Sequence, residues 1–113
     1  MARVLLGDFG AIVRLGLWDI FEERADLVTE ETATSDIVDS MLVMLPDVVV
    51  LDLDTAGVEE LARRIAVDFP AVKVIACSSA RPEMKVFPPF HHGESYLAEL
   101  DPTLLVEAVR DRS

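Results

Sequence analysis

At 113 residues the chain has the length of one domain, and a chain of that size buries roughly two-thirds of its unfolded surface around one core. Apolar residues make up 51 %, which excludes a disordered chain, and a formal net charge of -11 argues against direct contact with nucleic acid or anionic lipid. A single cysteine, Cys77, excludes an internal disulfide and suits a reducing cytoplasm, and no run approaches the roughly 18 apolar residues of a membrane helix.

Two periods alternate along the chain. Arg3–Gly7 reads as a short strand ending at Asp8. Ala11–Glu23 reads as a helix with Val13, Leu17, Ile20 and Phe21 on one face, and Trp18 lies off that stripe. Ala25–Thr29 reads as a short edge-like strand, and Thr34–Leu45 as a helix with Ile37, Met41, Met44 and Leu45 inward. Pro46 stops that helix, because proline disfavours the helical conformation of the residue before it. Val48–Leu53 is apolar without alternation, as a strand covered on both faces should be. Val58–Phe69 reads as a helix with Leu61, Ile65 and Phe69 inward, and Val72–Cys77 as a third core strand. The segment 81–93 is irregular: a helix is expected there if the alternation holds, but Pro88-Pro89 limits it to one or two turns near Pro82–Val86. Glu94–Ala98 reads as a weak last strand. Asp101-Pro102 supplies an N-cap and a first-turn proline for a helix over Thr103–Asp111, with Leu105, Ala108 and Val109 inward.

Such alternation implies a parallel sheet with helices on both faces. Polar chemistry then collects at the carboxyl ends of the strands. That placement explains DVVVLDLDTAG, residues 47–57, where a buried run enters a carboxylate. Asp8, Asp52 and Ser78 each follow a core strand directly, and all three should meet at one sheet edge.

RVLLGDFGAIVRLGL, LPDVVVLDLDTAG, VKVIACSSA and GESYLAELDPTLLVEAVR, in this order and spacing, resemble the receiver domain of response regulators of the LuxR/NarL type across nearly the whole chain. The resemblance implies a doubly wound α/β fold: a five-stranded parallel sheet in the order 2-1-3-4-5, here with a degenerate fourth helix. It carries the phosphoacceptor onto Asp52, the first metal-holding acid onto Asp8, the hydroxyl onto Ser78 and the aromatic switch onto Tyr96. Two positions depart from the pattern. Phe9 stands where a second acid ligates magnesium, and Glu99 stands where a lysine contacts the phosphoryl group.

Both departures oppose phosphorylation. Phosphoryl transfer needs a cation and fixed positive groups, magnesium takes oxygen ligands, and a phenyl ring offers none. Asp8, Asp52, Asp54 and Glu99 are expected to crowd one acidic pocket, with Arg81 the candidate internal cation. Asp52 is read as a turn- or helix-capping carboxylate ahead of a working phosphoacceptor. Asp8 is read as holding loop amides ahead of binding metal. Ser78 has a backbone-satisfying alternative to its switch role. Phe9 either plugs the emptied metal site or lies on a loop, and Glu99 either pairs with Arg81 or Lys85 or stays solvated. His91-His92 reads as a solvated loop pair rather than a metal site, and Cys77 as an inert core residue.

The functional expectation is a non-enzymatic, cytoplasmic, atypical receiver over residues 1–113, either standing alone or as the N-terminal part of a longer transcription regulator. It would act in signal transduction and transcription control through protein–protein contact, independently of phosphate and with no required cofactor. The expected partner is another protein or a second copy, as a homodimer, through the fourth-helix to last-helix face. Two alternatives stay open: a phosphorelay receiver that takes phosphate on Asp52 from a histidine kinase with weakly held magnesium, and a small-molecule-sensing pseudo-receiver.

Overall fold

Continuous apolar runs form the middle of a six-stranded sheet, and alternating ones form its outer side. The computed structural model describes residues 2–7, 19, 27–31, 36–78 and 80–110. The expected first helix, Ala11–Glu23, lies outside the described residues apart from the helical, exposed Asp19; Trp18, Asp8 and Phe9 lie outside them too. The strands are β1 (Ala2–Leu6), β2 (Leu27–Glu31), β3 (Val48–Asp52), β4 (Lys73–Cys77), β5 (Glu83–Phe87) and β6 (Tyr96–Glu99). The described helices are α1 (Ile37–Met44), α2 (Val58–Asp68) and α3 (Pro102–Arg110). No helix among the described residues is long and apolar enough to cross a membrane.

The sheet order is β2-β1-β3-β4-β5-β6. Strands β2, β1, β3 and β4 run parallel, whereas β5 is antiparallel to both β4 and β6. The sheet is therefore mixed, with six strands, and not the expected five-stranded parallel one. The correction is local. Where a degenerate fourth helix was expected, the chain forms β5. Its sequence EMKVF alternates, with Met84 and Val86 buried on one face and the half-buried Glu83 and Lys85 on the other. Pro82 and Pro88 bracket five residues, too few for a helix but the usual length of a strand. One more strand fits because β5 turns back along β4, leaving β6 parallel to β4 but one place further out.

Alternate residues of the central strands feed two apolar layers. Val4, Leu6, Val48, Val50, Ile75 and Cys77 point to one face, where Leu105 and Val109 of α3 cover them. Leu5, Val49, Leu51 and Val74 point to the other, under Ile37 and Met41 of α1 and Val58, Ala62 and Ile65 of α2. The buried stripe of α2 follows helical spacing, Val58, Ala62, Ile65 and Ala66. Each fully buried Val, Leu or Ile contributes about 1.5–3 kcal/mol by area transfer, so these two layers dominate stability.

Helix ends follow local chemistry. Asp101 caps α3, its Oδ1 accepting the Leu104 N–H at 2.9 Å. Leu45, expected inward, is 71 % exposed: it takes the left-handed conformation (φ 53°) that ends α1 ahead of Pro46. Its N–H still closes the last turn on the Met41 carbonyl, and Arg3 caps the same end by donating Nη1 to the Met44 carbonyl.

Candidate functional site at the carboxyl edge of the sheet

Strand β3 is fully buried through Leu51 and becomes half-buried at Asp52, where the sheet ends. Both oxygens of Asp52 are engaged within its own turn. Oδ1 accepts the Asp54 N–H at 3.0 Å, and Oδ2 accepts the Thr55 hydroxyl at 3.2 Å. An aspartate bonding the amide two residues on is an Asx-type turn. The Thr55 N–H returns to the Asp52 carbonyl, the Val58 N–H to the Thr55 carbonyl, and Gly57 adopts φ 81° to launch α2. A left-handed residue is needed there, and glycine takes it without a Cβ penalty.

Asp54 reaches across to β4 instead. Its Oδ1 accepts the Ser78 hydroxyl at 2.8 Å and its Oδ2 the Ala80 N–H at 3.0 Å. The Ser78 oxygen in turn accepts the Arg81 N–H at 3.2 Å, while the Ser78 N–H continues the ladder to the Glu83 carbonyl. The two carboxylates therefore do not converge on one point. Each fastens a separate loop, and the buried Ser78 hydroxyl is committed to Asp54. Thr55 and Ala80, which complete these bonds, were not singled out in the sequence. The Asp-x-Asp-Thr spacing ahead of Gly57 was the available signal for the first.

The expected acidic pocket assembles only in part. Asp52 and Asp54 are neighbours, but Glu99 is exposed at the end of β6, in register with Glu83, and β5 stands between it and β4. The Arg81 guanidinium does not enter the pocket: it is 70 % exposed and faces Glu83, Nε to Oε2 3.8 Å. Lys85 pairs with Glu59, not with Glu99. Tyr96 is half-exposed at the other end of β6, opposite Val86, so β5 also separates it from Ser78. The fourth-helix to last-helix face becomes a face of β5, β6 and α3.

A magnesium ion needs several oxygens held open in an octahedral shell. Among the described residues no group of three or more His, Cys, Asp or Glu side chains is placed to share a cation, and the Asp52 oxygens hold their own turn. Asp8, the other acid read at this edge, lies outside the described residues. Cys77, at the end of β4, has its thiol pushed up to about 12 by burial and, secondarily, by the Asp52 charge, so it stays protonated. His91 and His92 are exposed, and His91 Nδ1 lies 2.8 Å from the Pro89 carbonyl within its own loop.

Beside this edge, a cavity of about 850 Å³ opens between α2 and β5, lined by Glu59, Glu60, Arg63, Lys85, Phe87 and Glu94 among others. The Lys85 ammonium bonds Glu59 and stands 6.0 Å from the Phe87 ring centroid. The Lys85 hydrogen bond, then its charge, holds the Glu59 carboxyl below its ordinary pKa.

The chain matches no protein-family model, no curated protein and no solved structure.

Proposed function

We propose that this chain is a receiver-like regulatory module of signal transduction and transcription control that works by protein–protein contact and not by phosphorylation. The observation that carries this reading is the hydrogen-bond assignment at the strand ends. A working phosphoacceptor must present a free carboxylate oxygen to the phosphorus and turn a hydroxyl toward the incoming phosphoryl group. Here each Asp52 oxygen accepts a bond from within the turn 52–55, and Ser78 donates its hydroxyl to Asp54, away from Asp52. The parallel order β2-β1-β3-β4 supports the receiver-like part of the reading, since it puts the Asp52 and Ser78 strand ends side by side. The non-phosphate part is supported by β5, which occupies the place of the helix that would relay the switch and separates Tyr96 from Ser78.

The test uses beryllofluoride, a phosphate mimic, with magnesium. A ligand that binds only the folded state raises the melting temperature. The expected result is an unchanged transition at millimolar mimic. A rise of several degrees, abolished by Asp52→Asn, would establish the phosphorelay reading instead.

A further inference from the structure

The cavity between α2 and β5 is bounded by the loop that leads into β6, and its charges are only partly matched. Its volume of about 850 Å³ lies within the range of ligand clefts. Lys85 and Glu59 satisfy each other, with the Lys85 ammonium beside the Phe87 ring. The remaining charged lining is Glu60 and Arg63 of α2 and Glu94 of the loop. None of these three side chains has a hydrogen-bond or ion-pair partner among the described residues. Glu60 and Arg63 are three positions apart, so α2 presents them on one side.

Close packing fixes the loop. Phe90 and His92 take left-handed conformations (φ 63° and 55°) that residues other than glycine seldom adopt, and Gly93 (φ 85°) follows them. The Phe90 N–H anchors the turn on the Pro70 carbonyl at 2.8 Å. Gly93 then lies directly on α2: a Cβ there would stand 3.0 Å from Arg63 Cγ and 2.9 Å from Val67 Cγ2. The stem of Arg63 is held under the loop, although the residue as a whole is exposed. A held side chain loses less rotamer freedom on binding than a free surface one.

The mixture of charges selects the ligand. An apolar molecule would desolvate five charged side chains without supplying partners. A plain anion would meet three glutamates, and a plain amine would meet Arg63 and Lys85. A small molecule carrying both signs meets neither objection. We infer that this cleft binds a free amino acid, its carboxylate taken by Arg63 and its ammonium by Glu60 and Glu94. Arginine suits the first role because its planar fork matches a carboxylate. The site shares no residue with the Asp52, Asp54 and Ser78 network, so its occupancy and phosphate uptake are read separately.

Thermal unfolding of the whole chain, with each free amino acid in turn at millimolar concentration, tests the site. The expected result is a raised melting temperature with at least one of them. The N-acetyl form of that amino acid lacks the ammonium, and the amide form lacks the carboxylate. By calorimetry each should bind about tenfold more weakly or worse. Arg63→Met keeps a stem beneath Gly93 and removes the charge. It should weaken the amino acid by a similar factor and leave the amide form as it was. The double variant Glu60→Gln with Glu94→Gln keeps the test open even if Arg63→Met misfolds: it should weaken the amino acid and leave the N-acetyl form as it was. No melting shift with any amino acid, blocked forms that bind as well as the free one, or folded variants with wild-type affinity would overturn the inference.

Discussion

The central strands β1, β3 and β4 and the outer pair β5–β6 are built on opposite principles. The central strands are parallel, sealed on both faces, and contain residues with no exposed area, such as Val49, Val50 and Ile75. The outer pair is antiparallel; β5 alternates buried and half-buried residues up to the buried Phe87, and β6 is largely exposed. Burial on both faces fixes a strand by hydrophobic area alone, whereas an outer strand is fixed by register, turn chemistry and a few polar bonds. The strand-end network of Asp52, Asp54 and Ser78 lies at the seam between these two regimes.

Truncation sets the two regions furthest apart. Leu51→Ala, in the sealed centre, should cost about 2–5 kcal/mol, and Leu97→Ala, on the outer strand, within about 0.5 kcal/mol in the monomer. Urea unfolding of dilute protein measures both, and equal costs would erase the distinction. At the seam, Asp54→Ala strands the buried Ser78 hydroxyl and the Ala80 amide and should cost about 1–3 kcal/mol. Asp52→Asn keeps an acceptor for the turn and should cost less. Asp101→Ala removes the cap of α3 and should cost about 1 kcal/mol.

Acid and alkali separate the regions more gently. Glu59 on the outer cleft has a lowered folded pKa, so its stabilising contribution is present above the unfolded value and is lost as pH falls through the folded one. Glu59→Gln should therefore narrow its difference from wild type as acid is added. Cys77 in the centre is the converse. Its folded pKa is raised from 9.0 to about 12, so stability is intact below 9 and falls as pH climbs between the two. Cys77→Ala should lack that alkaline loss. The native thiol should also resist iodoacetamide at neutral pH until the chain unfolds.

The same contrast explains what could be read from the residues. Val48–Leu51 and Val74–Cys77 announce buried parallel strands because short continuous apolar runs suit strands covered on both faces. Asp101-Pro102 announces a helix start because cap chemistry is local. The strand Glu83–Phe87 was legible too, as an alternating run between prolines, but expecting strict strand–helix alternation hid it. Asp8, Asp52 and Ser78 were placed at one edge because each follows a core strand directly, and Asp8 lies outside the described residues; which oxygen of Asp52 and Asp54 bonds which donor depends on loop geometry that no spacing encodes. Glu99 and Arg81 went elsewhere because one additional strand moved β6 a place outward.

The central claim is that the strand-end carboxylate serves its own turn and does not take phosphate. Intact mass after incubation with acetyl phosphate and magnesium tests it most directly. The account predicts an unchanged mass in the wild-type chain. A gain of one phosphoryl group, lost in Asp52→Asn and retained in Asp54→Asn, would contradict it.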